Sequence, residues 1–124
     1  MSGAAARADN QPDARPIQFT NCALGGAGGG ASRVTTGGTA VTLNVHQPLR
    51  GVYVQNPSTA TESLFVEIAQ APSGTVNPAS TTAGVSIELQ PGQSFTEGPG
   101  TINAGGLSFN AASSSHAFIC KVGQ

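Results

Sequence analysis

The stretch VSIELQPGQSFTE, residues 85–97, decides the fold class. Val85, Ile87 and Leu89 alternate with Ser86, Glu88 and Gln90, which is the two-residue period of a strand with one buried face. Gln90-Pro91-Gly92-Gln93 then reads as a type II turn. Proline presets φ at the second position, and glycine accepts the positive φ of the third. Ser94 to Glu97 begins a return strand around Phe95. A strand, a tight turn and a second strand make a β-hairpin.

Working outward, the same grammar recurs. Thr39–Val45 alternates with Val41, Leu43 and Val45 inward, and Gly51–Gln55 follows with Val52 and Val54 inward and Tyr53 opposite. Asn56-Pro57-Ser58 is a turn signal. Leu64–Ala71 puts Leu64, Val66 and Ile68 on one face and Phe65, Glu67 and Ala69 on the other. Leu107–Ala111 alternates through Phe109, and Ser115–Val122 sets His116, Phe118, Cys120 and Val122 on one face. Pro16–Leu24 reads as a first strand, and the glycine run 25–30 behind it as a flexible loop, since so many glycines inside a strand would forfeit backbone entropy. No window of twelve residues shows helical spacing with good helix formers. About eight short strands punctuated by Gly and Pro predict an all-β fold: a single antiparallel β-sandwich, jelly-roll-like. Residues 1–15 lack apolar periodicity and hold four of the eleven charged side chains, so they read as an N-terminal arm, with residues 16–124 as the sandwich domain.

Charge narrows the function classes. Only 9% of the 124 residues are charged, where ordinary globular chains carry roughly a quarter. Outside the arm, Arg33, Arg50 and Lys121 face Glu62, Glu67, Glu88 and Glu97. Three scattered cations make no stripe for displacing phosphate counterions, so nucleic acid is not an expected partner. No run approaches the roughly 18 continuous apolar residues of a membrane helix, so no membrane partner is expected. The N-terminus lacks the apolar segment of a secretory signal, so synthesis in the cytoplasm is expected. Cys22 and Cys120 lie near opposite ends of the folded region. A disulfide there would staple the first strand to the last; without a secretory segment, two buried thiols are the favoured alternative.

The residues offer little chemistry. Both aspartates, Asp9 and Asp13, lie in the arm, and the two histidines, His46 and His116, are distant in sequence. A triad or a carboxylate pair would need partners gathered in a cleft, which single glutamates on strands do not announce. The glycine run lacks the third fingerprint glycine and the Lys-Ser/Thr pair of phosphate loops. Two Cys and two distant His form no zinc pattern. The expectation is no catalytic residues, no cofactor and no metal. With no Trp and one Tyr, an aromatic sugar platform is not indicated. Tyr53 and Phe65, opposite the apolar faces of their strands, are candidates for a second buried surface or a subunit contact. With Arg7 and Arg15 of the arm and Ile17 at its exit, they form the candidate protein interface.

The segments GVYVQNPSTATESLFVEIAQAPSGT (51–75), GVSIELQPGQSFTEGPGTINAGG (84–106) and LSFNAASSSHAFICKV (107–122) resemble small virion proteins of tailed bacteriophages. A hairpin of the form G-x-x-L-x-P-G-x-S carries the likeness, here Gly84 to Ser94, with three residues, Glu88, Leu89 and Gln90, instead of one between the apolar anchor Ile87 and the Pro91-Gly92 turn. The resemblance covers residues 35–122. It implies a β-sandwich that decorates or cements the outer surface of a capsid. The partners it implies are the major capsid protein and further copies of this chain, with the virion as the location. Fibre and tail-tip proteins are similar in style, so a host-surface attachment module that binds carbohydrate or a receptor is the alternative expectation.

Overall fold

A computed structural model describes residues 17–26, 32–44, 49–68, 76–98 and 106–123. Arg7 and Arg15, the arm and His46 lie outside the described residues. Nine strands are present: β1 (Phe19–Asn21), β2 (Ser32–Val34), β3 (Val41–Asn44), β4 (Gly51–Gln55), β5 (Leu64–Ile68), β6 (Ile87–Leu89), β7 (Ser94–Glu97), β8 (Gly106–Asn110) and β9 (His116–Gly123). The only helical element among the described residues is a 3-10 turn, Leu24–Gly26. The alternation in the sequence selects strands, and the turn residues set where they reverse. Gln93 N–H bonds the carbonyl of Gln90 at 2.9 Å, and Gly92 takes φ +88°, which closes the expected type II turn between β6 and β7. The expected hairpin does not form: β6 pairs with β5 and β7 with β4, so the turn carries the chain from one sheet to the other, because each strand finds its partner across the rolled fold and not across the turn.

The strands form two antiparallel sheets. One runs β1-β9-β4-β7, with β2 also paired to β9; the other runs β3-β8-β5-β6. β1 meets residues 121–123 of β9, and β2 meets residues 116–118. The two thus lie end to end along β9, both antiparallel to it, with the register shifted by eight residues between them. Three residues are too few for a period-two signal, which is why β2 is not visible in the sequence. The long-range pairings are nested: β1 and β2 with β9, β3 with β8, β4 with β7, and β5 with β6. A long hairpin rolled over on itself gives this pattern, and the fold is a jelly-roll β-sandwich.

The core lies between the sheets. Val52, Val54, Phe118, Cys120 and Val122 of one sheet meet Leu64, Val66, Leu89, Leu107 and Phe109 of the other. Phe109 and Phe118 stack across the gap with ring centroids 4.4 Å apart, joining β8 to β9 through the middle of the sandwich. Two positions depart from the sequence reading. Val85 stands before β6 and is 58% exposed, and Ile87 is 40% exposed because β6 is an edge strand with no neighbour on one side.

Cys22 and Cys120 form a disulfide, correcting the preference for free thiols. Their Cα atoms are 5.4 Å apart, within the range a bridge requires. The Cys22 N–H also bonds the carbonyl of Cys120 at 3.0 Å, so the pairing of the edge strand with β9 sets the two side chains opposite one another. The crosslink spans 98 residues of sequence and ties the first strand to the last. Replacing both cysteines by alanine should lower stability by about 2–5 kcal/mol, because the unfolded chain regains the freedom the bridge removes. A lower urea midpoint, with a steeper slope as the unfolded chain becomes less compact, is the expected readout; an unchanged midpoint would contradict it.

Candidate functional site

Four connections cluster at one end of the sandwich: residues 35–40, 56–63, 90–93 and 111–115. Each joins a strand of one sheet to a strand of the other, so the rolled topology brings together four loops distant in sequence. Hydrogen bonds lace them. Gly38 N–H bonds the carbonyl of Ala111 at 2.8 Å, and Gly37 N–H bonds Ser114 Oγ at 3.0 Å. Asn56 N–H bonds the carbonyl of Gln93 at 3.0 Å, and Gly92 N–H bonds the carbonyl of Asn56 at 2.7 Å.

Asn56 is the buried centre of this end. It ends β4 and points into the protein, continuing the inward parity of Val52 and Val54. Its Nδ2 donates to the carbonyls of Glu62 and Leu89, both at 2.9 Å. With both amide hydrogens spent, Oδ1 is the acceptor, 2.8 Å from Nε2 of His116. The His116 proton therefore sits on Nε2. Nδ1 of the same ring faces Oε2 of Glu62 at 3.5 Å, a charge pair whenever the ring is protonated. Ser113 N–H donates to Glu62 Oε2 at 2.8 Å. The hydrogen bond from the Ser113 side chain, helped by its backbone N–H and by His116, holds the Glu62 carboxyl below the usual 4.5, against partial burial that pushes it up.

An open cleft of about 280 Å³ lies over this cluster, between residues 57–62 and 113–117. Thr59, Thr61 and Ser113–Ser115 line it with hydroxyls, Glu62 and His116 form its polar floor, and Pro57 and Ala60 add apolar surface. The structure thus brings a histidine, a glutamate and serines together, which the sequence does not announce. Their geometry is that of a clamp. Nε2 of His116 is directed at Asn56 and Nδ1 at Glu62, so the fold holds the ring against these two side chains, and among the described residues no serine hydroxyl is hydrogen-bonded to it. Among the described residues no group of three His, Cys, Asp or Glu side chains is placed to hold a metal ion.

The sequence signal for this site was His116 itself. A titratable side chain in step with Phe118, Cys120 and Val122 lies on a core face and needs a buried partner. Nothing marks Asn56 or Glu62 as that partner, because one reads as a turn residue and the other as an isolated surface acid.

The candidate interface residues lie elsewhere. Ile17 and Phe19 lie over Gly51 and Gly123 on the outer face of the β1-β9-β4-β7 sheet. A Cβ on Gly51 would come within 2.7 Å of the Phe19 ring, and one on Gly123 within 2.6 Å of Ile17. Tyr53, half-buried, is on the same face, opposite Lys121. Phe65 is on the outer face of the other sheet but is only 8% exposed. Residues 76–80 cover that face: Ala79 N–H bonds Ser108 Oγ at 2.9 Å, and Asn110 Nδ2 bonds the Ala79 carbonyl at 2.9 Å. Of the two roles expected for Phe65, the chain itself supplies the second buried surface. Fold and site together define a jelly-roll sandwich with one laced loop end and one open sheet face. No family model, no curated protein and no solved structure matches the chain.

Asn56→Ala leaves two buried carbonyls and the His116 N–H without partners, and should destabilise the protein by roughly 2–4 kcal/mol, measured by urea unfolding. An effect no larger than that of an exposed surface substitution would remove Asn56 from the centre of the fold. Glu62 gives a pH test. A carboxyl held low in the folded state adds stability above its unfolded value, and that stability is lost as pH falls through the folded value. Glu62→Gln should therefore be less stable than the parent near neutral pH, and the two should converge below about pH 4.5. Parallel stability curves over that window would contradict the assignment.

Proposed function

We propose that this chain is a non-enzymatic structural protein of a bacteriophage virion. In this reading it decorates or cements the capsid exterior by oligomeric binding to major capsid protein subunits. The observation that carries the reading is the open outer face of the β1-β9-β4-β7 sheet, where Phe19 is 48% and Ile119 37% exposed. Beside its two cations, Arg33 and Lys121, such a face offers shape, apolar contact and uncharged hydrogen bonds, which salt screens little. The resemblance of the Gly84–Ser94 hairpin to small virion proteins supports the phage assignment. The disulfide supports an exterior position, since such bridges persist in oxidising surroundings, virion surfaces among them. His116 supports a non-catalytic role, its ring nitrogens being engaged within the fold.

The hydroxyl-lined cleft at the loop end favours a second reading, a fibre or tail-tip module that binds a receptor or glycan. Copy number separates the two: hundreds per particle for decoration, a few to a few dozen for a tip. For the first reading, particles lacking the protein should rupture at lower temperature or milder osmotic shock than complete ones, and adding the purified protein back should restore resistance. Equal resistance with and without the protein would overturn cementing.

A further inference from the structure

The two outer faces of the sandwich differ in sign. On the β1-β9-β4-β7 sheet, Arg33 pairs with Ala117 and Tyr53 with Lys121. Directly opposed residues share a face, and Ala117, Ile119 and Lys121 alternate with the buried His116, Phe118 and Cys120. Arg33 and Lys121 therefore stand on the outer face, beside exposed Ile119. The sheet's acid among the described residues, Glu97, is opposite core-facing Val52 on edge strand β7, so it is not on this face. On the other sheet, Glu67 pairs with Ser108 and Glu88 with Phe65. Both acids stand on the outer face, around the patch that residues 76–80 cover. Ser86 Oγ donates to Glu67 at 2.7 Å, and Ser63 Oγ donates to Glu88 at 2.6 Å. These bonds fix the carboxylates in place, and among the described residues no cation stands on that face.

From this opposition of sign we infer that a second copy of this chain docks face to back. The Glu67–Glu88 face of one copy lies on the Arg33–Lys121 face of the next. The basic face also carries the exposed apolar side chains Phe19 and Ile119, whereas the acidic face has its apolar Phe65 already covered by the chain itself. Contact between unlike faces is heterologous, so each copy keeps one free face of each sign and can add further copies until the rotation closes a ring. Like faces would set Lys121 against Lys121 or Glu88 against Glu88, which repulsion disfavours. The inference deepens the oligomeric part of the proposed function and concerns the isolated protein, so it can fail while capsid binding stands.

The test is sedimentation of the purified full chain at low and high salt, with Lys121→Glu, with Glu88→Lys, and with an equal mixture of the two. Both side chains are exposed, and circular dichroism and thermal unfolding check that each variant keeps its fold. The parent should self-associate and do so less at high salt. Each charge reversal alone leaves one face with a cation and an anion and no net charge, and should weaken association by roughly tenfold or more. Mixing the two variants restores opposite signs at the contact and should restore association. A parent that stays monomeric at its highest soluble concentration would overturn the inference and leave the basic face to a different protein. Loss on Lys121→Glu with no effect of Glu88→Lys would overturn it in favour of a symmetric contact through one face. Two variants that remain monomeric when mixed would overturn it as well.

Discussion

Everything at the loop end of this sandwich depends on how one buried carboxamide is satisfied. Both side-chain ends of Asn56, and its backbone N–H and C=O, are hydrogen-bonded. These bonds reach the connection after β4, the end of β6, the β6–β7 turn and the start of β9. A buried amide without partners costs several kcal/mol, and one with all its partners fixes their relative positions. Apolar packing alone tolerates small slips between sheets. The Asn56 network does not, because a slip orphans several groups at once. His116 extends the network to Glu62 and Ser113, and so to the floor of the cleft.

The two sheet faces show how a chain this poor in charge divides its surface. On the β3-β8-β5-β6 sheet, Ser108 and Asn110 hold residues 76–80 in place, and Phe65 is buried beneath a segment of its own chain. On the β1-β9-β4-β7 sheet, Ile17 and Phe19 lie over Gly51 and Gly123, and Ile119 remains accessible. The aromatic ring replaces the side chains the glycines lack, which keeps a glycine-bearing strand pair packed at its end. The apolar surface of one face is therefore covered within the monomer, where Glu88 stays exposed beside it, and the other face leaves apolar side chains accessible.

The disulfide acts at a different level. It lies between the first strand and the last, at the closure of the rolled hairpin, where the pairing spans nearly the whole chain. Such long-range pairing is the slowest to form and the costliest in chain entropy. A covalent tie there holds the edge of the sheet, where β1 pairs with β9 over only three residues.

By itself the sequence determined the β class, the type II turn at 90–93, and the inward sets on β4, β5, β8 and β9. These follow from side-chain period and local turn chemistry, which act over a few residues. It also marked His116 as a polar side chain on an apolar face. Only the tertiary structure decided which strand pairs with which and that Cys22 faces Cys120. It alone decided that Asn56 and Glu62 are the partners of His116 and that residues 76–80 cover Phe65. Most of those choices are made between residues 50 to nearly 100 positions apart, as for Glu62 and His116 or Cys22 and Cys120, where no local pattern carries information and only the closing of the two sheets brings the groups within reach of one another.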